Sequence, residues 1–287
     1  MTEVARPRLF IKVTRDSVPQ VRERYPFLYL EYGRLEVDGS SVKWVDSEGR
    51  VIPLPITTLM SLLLGPGTSV THEAIKVIAS ANCGISWVGE DSLIYYASGT
   101  TPTSDSRNMR SQMTLSASPK KSLEVARWMF KKRFPKEDLT EKTLKQMMGM
   151  EGNRVRQRYQ EMANQYQVSW DGRRYKPGDF GGSNTTNRIL TASNAALYGI
   201  TCSVVHALGF SPHIGFIHSG SPLPFIYDLA DLYKEDVCID LAFRLTKRMT
   251  GFYDRVVLAD EFRRRAIEYN LVEKIADDVL KVLEFDS

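Results

Sequence analysis

The sequence has few cysteines, no long hydrophobic run and little net charge. Its 287 residues include 3 Cys (Cys83, Cys202 and Cys238), a set too widely spaced for a disulfide framework or a zinc-binding cluster. No stretch approaches the ~18 consecutive apolar residues of a membrane span. The first residues lack the apolar core of a signal peptide, so we expect a cytoplasmic protein. The ordinary globular composition excludes a disordered or collagen-like chain.

Charge is distributed unevenly along the chain. The net charge is only +4, but residues 105–188 carry 18 Lys and Arg against 9 Asp and Glu, a local charge of +9. Residues 1–104 carry −1 and residues 189–287 carry −4. The basic middle segment predicts binding of a polyanion, and we expect the acidic segment 189–287 to have a different role.

Two kinds of periodicity predict an α+β multidomain protein. We expect a small N-terminal β-rich domain over residues 1–98, a Gly/Thr/Pro/Ser linker over 99–104 and a larger all-α domain over 105–287. Thr71 and Glu73 predict one capped helix within the β-rich part. The predicted strands are Leu9–Val13, Phe27–Glu31, Arg34–Asp38, Val42–Val45, Val51–Leu54, Gly84–Val88 and Leu93–Ala97. The predicted helical segments are 118–133, 139–168, 184–209 and 238–284.

A first candidate site lies in the Gly/Pro/Ser-rich segment 215–231. It contains His218 and leads into an apolar helix start, where Asp228 and Asp231 occupy neighbouring positions on one face. Two Asp residues among apolar neighbours are costly unless they bind a positive charge. The alternative is that they cap the helix and form ion pairs there.

A second candidate is the segment Met150–Tyr159. On a helix, Glu151, Arg154 and Arg158 share a face. They form either a solvated ion-pair face or a carboxylate ligand beside arginines that hold phosphates.

A third candidate combines an Asp-Gly turn with Arg173, Arg174 and Tyr175. These residues are either arginines that bind phosphate beside an aromatic ring for stacking, or the charged tip of an ordinary hairpin.

Glu, His and Asp together make an oxygen and nitrogen ligand set without thiolate. Such a set suits Mg²⁺ or Mn²⁺ better than structural zinc. A metal of this kind polarises a phosphoryl oxygen during in-line displacement, and basic residues around it supply contacts to a nucleic-acid backbone. The spacing alone does not place Glu151 beside His218 and the aspartates.

Taken in order, these segments resemble the CRISPR-associated integrases that capture new spacers (the Cas-one family), in particular the type I-E subtype. The similarity runs from about residue 8 to 280. It is carried by the ordered set Leu30-Glu31-Tyr32-Gly33, Leu64-Gly65-Pro66-Gly67-Thr68, Trp87-Val88-Gly89-Glu90, Tyr96-Ala97-Ser98, Glu151-Gly152, Arg154-Val155-Arg156, Gly172-Arg173-Arg174-Tyr175, Leu197-Tyr198-Gly199 and the His218-to-Asp231 block.

The resemblance implies a metal-dependent DNA integrase and endonuclease of antiviral defence, with a helical catalytic domain. It implies that Glu151, His218 and Asp231 bind Mg²⁺ or Mn²⁺, with Asp228 as a further acidic residue of the catalytic site. It also implies that the protein forms a homodimer, that its β-rich domain contacts DNA ends, and that a small Cas-two protein is its partner. The substrates it implies are a prespacer duplex with 3′ overhangs and the CRISPR repeat DNA. The DNA-binding residues expected are Tyr32, Arg154, Arg158, Arg173, Arg174, Tyr175, Tyr198 and Lys234.

The chain departs from basic residues of the family at four positions: Ser69, Ile94, Met148 and Ser221. Lys234 and the run Arg263–Arg265 are candidates for compensating charge. Two other functions stay open at this point. A branched-DNA repair nuclease would act through the same residues without a partner, and a DNA-binding scaffold would tolerate loss of His218 or Asp231.

Overall fold

A strand-rich region precedes a helical region in the computed structural model, which describes residues 20–39, 41–89, 95–99, 106–173, 184–249 and 254–286. The strands are β1 (Tyr25–Leu30), β2 (Gly33–Asp38), β3 (Ser41–Asp46), β4 (Val51–Pro53), β5 (Leu59–Leu64), β6 (Thr68–Val70), β7 (Gly84–Val88) and β8 (Tyr95–Gly99). The helices are α1 (His72–Ser80), α2 (Arg107–Ala117), α3 (Pro119–Arg133), α4 (Leu144–Tyr166), α5 (Thr185–Ala207), α6 (Pro224–Ala230), α7 (Asp240–Arg248), α8 (Arg255–Glu268) and α9 (Leu271–Lys281). Within the described ranges, no helix is long and apolar enough to cross a membrane.

The strands form two four-stranded sheets. In the first, the order is β1-β5-β7-β8, with parallel pairs except for the antiparallel β7 and β8. In the second, the order is β4-β3-β2-β6, with a parallel pair only between β2 and β6. The turn after β1 places Tyr32 at a positive φ of 53°, and its N–H donates to Pro66 O at 2.9 Å. Tyr32 is thereby held at the turn that connects the two sheets.

Local capping explains where several helices begin. Thr71 Oγ1 accepts the N–H of Ala74 at the start of α1, as its Thr–Glu pattern predicts. Thr143 and Gln146 form a reciprocal capping box at the start of α4. Helix α4 therefore begins later than the predicted boundary at residue 139.

Strand β5 is the centre of the core. All six of its residues are buried, because sheet and helices cover both of its faces. Leu62 and Leu64 pack into an apolar cluster with α1 and the second sheet. Leu63 packs into the larger cluster formed mainly by the helices. The β-rich and helical regions therefore share a core.

Helix α5 crosses the first sheet at close range. A Cβ atom on Gly199 would lie 2.6 Å from Leu63 Cδ2, so a larger residue there would force the buried Leu63 or the helix to shift. The same helix carries Tyr198 toward the candidate site. The packing of α5 on β5 thus fixes one wall of that site relative to the sheet.

The predicted order, β-rich then helical, is confirmed, as are the strands near β1, β2, β3, β4, β7 and β8. Strands β5 and β6 and helix α2 were not expected. In the described residues of the segment 238–284, the structure has part of a π-helical turn (Glu235–Ile239), three separate helices and part of a final 3-10 turn. Strand Leu9–Val13 and linker residues 100–104 lie outside the described residues, and Gly99 belongs to β8. The division into two domains stays a prediction.

Candidate active site

A cavity of about 620 Å³ lies where the first sheet meets the helices. Tyr95 of β8, Glu151 of α4 and Tyr198 of α5 form parts of its wall. His218, from the loop before α6, and Asp231, immediately after α6, form another part. Residues that lie far apart in the sequence thus converge on one cavity.

Asp228 fixes the orientation of His218. Its Oδ2 accepts the backbone N–H groups of Phe216 at 2.6 Å and Ile217 at 3.1 Å, and its Oδ1 accepts that of His218 at 3.0 Å. His218 Nδ1 lies 2.8 Å from Oδ1 of the same carboxylate. Because a carboxylate only accepts hydrogen bonds, Nδ1 carries a proton, and in the neutral imidazole Nε2 therefore keeps its lone pair. That lone pair lies on the side of Asp231, whose Oδ2 is 3.6 Å from Nε2.

Each cavity carboxylate has a cationic partner. Asp231 Oδ1 lies 2.6 Å from Lys234 Nζ, and Glu151 Oε1 lies 2.7 Å from Arg133 Nη2. Lys234 follows Asp231 by three residues, so one helical turn sets that pair. Arg133 is the last residue of α3 and reaches Glu151 in the following helix.

These contacts shift the pKa values of the buried groups. The hydrogen bond from His218 to Asp228 raises the pKa of the imidazole, in opposition to burial. Burial opposes ionisation of Asp231, but Lys234 and Arg133 together lower the pKa of its carboxyl group. Burial also opposes the charge on Lys234, but Asp231 raises the pKa of the ammonium group well above its usual value. The site thus holds opposite charges at close range.

Aromatic rings and the Arg173 guanidinium form a further part of the wall. The Tyr198 ring lies 4.9 Å from Lys234 Nζ and packs edge-on against Tyr227, with 5.2 Å between ring centroids. Arg173 Nη1 donates to Asn187 Oδ1 at 2.9 Å, and Arg173 Nη2 donates to Thr191 Oγ1 at 2.8 Å. These bonds fix the guanidinium against the first turns of α5.

The family model described as CRISPR associated protein Cas1 matches residues 131–281. A relative from Chlorobaculum tepidum, named CRISPR-associated endonuclease Cas1 2, is 64% identical over 276 residues, which cover 96% of this chain and 93% of the relative. The chain belongs to the Cas1 family. CRISPR-associated endonuclease Cas1 of Escherichia coli K12 is 35% identical over 260 residues and covers 90% of this chain and 85% of its own. A solved TtCas1–DNA complex is 34% identical with a TM-score of 0.75, over 90% of this chain and 91% of the other.

The residues matched by the Cas1 family model include most of the cavity wall but not Tyr95, which lies in the strand-rich region. They include the residues that make the closest polar contacts, Arg133, Glu151, His218, Asp231 and Lys234. The Cas1 family thus accounts for the site through its helical part, and β8 adds one more side chain.

Other residues predicted to bind DNA lie away from the cavity or outside the described structure. Arg154 is exposed and its Nε lies 3.4 Å from Oε1 of Glu235, a residue of the cavity wall. Arg158 pairs with Glu161 on its own helix rather than with Glu151. Tyr32, 44% exposed, sits at the β1–β2 turn with the Arg255 guanidinium 5.8 Å from its ring. Arg174 and Tyr175 lie outside the described residues.

The departures from the family's basic residues lie at varied positions. Ser69 is exposed on β6, Met148 is exposed on α4 and Ser221 is half-buried in the loop after His218. Ile94 lies outside the described residues. Each arginine of the run Arg263–Arg265 has a partner in the protein. Arg263 forms an ion pair with Asp260, Arg264 forms one with Glu261, and Arg265 donates a hydrogen bond to Asp236 O.

The donor chemistry fits a hard divalent cation, although the ligands are not assembled around a single point. Glu151, His218 and Asp231 offer two carboxylates and a free imidazole Nε2 on one cavity wall. Within the described part of the chain, no three His, Cys, Asp or Glu side chains lie close enough to hold a metal as they stand. His218 and Asp231 approach each other, whereas Glu151 is paired with Arg133.

The wall residues that sequence reasoning missed include Tyr95, Arg133 and Glu235. Arg133 ends the run Lys131-Lys132-Arg133 at the C-terminus of α3, where cations normally complement the helix dipole. No signal in the sequence distinguishes it from its neighbours. Tyr95 reaches the cavity only because β8 pairs with β7 beneath α5.

Proposed function

We propose that this chain is a metal-dependent DNA integrase and endonuclease of CRISPR adaptation, which inserts prespacer DNA into the CRISPR array. Membership of the Cas1 family, together with the cavity that contains Glu151, His218 and Asp231, carries the proposal. A 3′-hydroxyl of the prespacer attacks a phosphodiester of the array. A new P–O bond forms as the bond from phosphorus to the target's 3′-oxygen breaks. The attacking hydroxyl loses its proton and the departing 3′-oxygen gains one.

Glu151, His218 and Asp231 would hold Mg²⁺ or Mn²⁺. The bound ion would polarise a phosphoryl oxygen and offset the negative charge that develops during displacement. The hydrogen bond from His218 Nδ1 to Asp228 supports this assignment, because it leaves Nε2 free for a cation. Asp228 is therefore a positioning residue in our proposal.

Basic and aromatic side chains would hold the DNA. Lys234 and Arg173 on the cavity wall would contact phosphates, and the Tyr198 ring on the same wall would contact a base or sugar near the reacting end. Arg154 would contact the backbone from the rim, and Tyr32 would lie against a duplex end. The roles of Arg158, Arg174 and Tyr175 rest on the family resemblance alone. The relative solved with DNA supports DNA binding by this chain.

The proposal includes a homodimer, a small Cas-two partner and a cytoplasmic location in a prokaryotic cell. Strand β4 supports self-association, because among the described strands it lies at the edge of its sheet, with Val51 57% exposed and Ile52 47% exposed. Exposed apolar side chains beside an unpaired strand edge are typical of an interaction surface. A Val51→Lys, Ile52→Lys variant should shift the protein to monomer in light scattering.

An integration assay tests the function. The chain is mixed with its small partner, a labelled prespacer duplex with 3′ overhangs and a supercoiled repeat plasmid, with Mg²⁺ or with EDTA. We expect plasmid-linked label with Mg²⁺ only, and none with His218→Ala or Asp231→Ala. His213→Ala is the matched control, because His213 is exposed in the same loop and does not contribute to the cavity wall.

Each alternative function gives its own result. Cutting of branched DNA by the chain alone, without integration when the partner is added, would indicate a repair nuclease instead. Plasmid-linked label that survives in His218→Ala would contradict the metal assignment. Unchanged activity of the assembled complex in both alanine variants would indicate a scaffold. Titration of Mn²⁺ by calorimetry gives a second readout, since both variants should lose binding and His213→Ala should retain it.

A further inference from the structure

Arg133 is the most deeply enclosed cation on the cavity wall that no sequence pattern singled out. Only 7% of its side chain is exposed, compared with 46% for Arg154 nearby. Nη2 lies 2.7 Å from Glu151 Oε1. A guanidinium with five N–H donors can do more than neutralise one carboxylate.

One end of the Arg133 guanidinium is unused. Nη1 is buried and has no hydrogen-bond partner among the described residues. A buried donor of a charged group without an acceptor is costly, so its retention at a cavity wall points to an acceptor that arrives with a ligand. An anionic oxygen is the acceptor that suits this donor best, because a hydrogen bond between a cation and an anion is the strongest kind.

The aromatic surroundings hold the guanidinium in place. Its carbon lies 5.6 Å from the centroid of the Phe134 ring and 6.0 Å from that of Phe130. The Arg154 guanidinium lies 5.0 Å from the same Phe134 ring. Stacked rings restrict rotation of the planar fork, so Nη1 and Nη2 keep fixed directions relative to Glu151.

We propose that Arg133 is a catalytic residue that binds the reacting phosphate of the DNA. Nη1 is covered by protein atoms before DNA binds; a local shift of those atoms exposes it, and Nη1 then donates to a non-bridging oxygen of the phosphodiester under attack, while Nη2 stays on Glu151. The inference rests on the proposed integrase function, which places that phosphate in the cavity. The Arg133 guanidinium thus connects Glu151, a proposed metal ligand, to the substrate phosphate. Its positive charge offsets the negative charge that grows on the phosphoryl oxygens.

Stereospecific sulfur substitution tests the contact. The substrate is a synthetic branched duplex in which a free 3′-hydroxyl attacks the junction phosphodiester and releases the branch strand. That phosphodiester is all-oxygen, Rp phosphorothioate or Sp phosphorothioate. Sulfur accepts hydrogen bonds poorly, so we expect one diastereomer to slow the wild-type single-turnover rate by about 5- to 20-fold. In Arg133→Gln, the all-oxygen rate should fall, and the same diastereomer should cause no additional loss.

Two further arms separate this contact from other causes. Exchange of Mg²⁺ for Mn²⁺ relieves a sulfur effect at a metal-bound oxygen, because Mn²⁺ tolerates softer ligands, but should leave the Arg133-dependent effect in place. Arg127→Gln is the matched control. Arg127 lies in the same helix and also has a buried nitrogen without a partner, but it does not line the cavity. It should keep the wild-type discrimination between diastereomers.

The outcomes distinguish this inference from the proposed function. A slow Arg133→Gln enzyme that keeps the full sulfur discrimination would mean that Arg133 only holds Glu151, which overturns the inference alone. Wild-type protein that does not release the branch strand with either metal would overturn the proposed function and the inference with it. Arg133→Lys keeps the charge and covers the case in which Arg133→Gln does not fold. It should show reduced but measurable discrimination.

Discussion

Asp228 is buried to 1% exposure and receives hydrogen bonds from both backbone and ring, so its carboxylate organises the whole His218 loop. Three backbone N–H groups and the imidazole converge on its two oxygens. The loop that presents His218 therefore has this side chain as its centre. Asp231, three residues later, faces the cavity instead.

Asp228→Asn should damage both the fold and the histidine. An amide group replaces one acceptor oxygen with a donor, so at least one N–H loses its partner, at a cost of about 2–3 kcal/mol of unfolding free energy. The His218 ring should lose its single tautomer, which ¹⁵N NMR of the imidazole detects. Asp236→Asn, at an exposed carboxylate outside the loop, is the control. An unchanged tautomer and melting temperature would contradict the role given to Asp228.

His206 should make the protein sensitive to acid. Burial near the end of α5, with a smaller contribution from His213, lowers the pKa of His206 from 6.5 to about 4. The unfolded chain therefore binds a proton that the folded chain rejects between these values, and stability falls as the pH drops through that window. The loss should reach about 1–3 kcal/mol at pH 4.

Urea unfolding midpoints measured from pH 7 to pH 4 check this expectation. His206→Asn should flatten the pH dependence, whereas His72→Asn, at an exposed position in α1, should leave it as in the wild type. An equal acid sensitivity in His206→Asn would refute the assignment.

The sequence predicts part of the candidate site, because some of its residues have informative neighbours. Asp228 and Asp231 interrupt an apolar helix, and His218 stands in a Gly/Pro/Ser-rich loop. Arg133 could not be found in this way, because a cation at a helix C-terminus is expected for other reasons. Its role depends on where α4 places Glu151, which is a tertiary contact.

At the scale of elements, helix α5 determines how closely the helical region approaches the sheet. A Cβ atom at Gly199 would lie 2.6 Å from Leu63 Cδ2, too close for the buried leucine to stay where it is. Gly199→Ala should cost about 1–3 kcal/mol of unfolding free energy, because the added methyl group forces α5 away from β5. Tyr198 is the preceding residue, so the same variant should also weaken the active site.

Gly149→Ala in α4 is the matched control for Gly199→Ala. A Cβ atom there meets nothing within 4 Å, so removal of glycine from an exposed helix should stabilise the protein by about 0.5–1 kcal/mol. Chemical denaturation of both variants measures whether the unfolding free energy falls in Gly199→Ala and rises in Gly149→Ala. Stabilisation by Gly199→Ala would contradict the close packing of α5 on the sheet.

The elements that the sequence did not predict share a physical cause. Strand β5 is buried on both faces and is apolar except for Ser61, so it lacks the alternation that marks a half-buried strand. Helix α2 buries only Gln112 and Leu115, too few positions to give a helical period. The capped helices α1 and α5 were predicted closely, because their boundaries are encoded locally.

At the scale of the whole molecule, the net charge of +4 conceals two unlike regions. The arginines of α8 are largely neutralised within their own surroundings, as Arg264 pairs with Glu261 and Glu268. The basic segment 105–188 has twice as many cationic as acidic residues and cannot be neutralised internally in the same way. We therefore expect DNA phosphates to contact this segment, with Arg154 among the contacts.

DNA affinity should accordingly depend strongly on salt. With about four phosphate contacts, counterion release predicts a loss of affinity on the order of 100-fold between 50 and 200 mM salt. Fluorescence anisotropy with a labelled prespacer duplex gives the slope of log affinity against log salt. Arg154→Gln should reduce that slope by about one, because one phosphate contact is lost. Arg264→Gln should leave it unchanged, since Glu261 and Glu268 already occupy that guanidinium. A slope near zero in the wild type would mean that the positive charge of the middle segment does not face DNA.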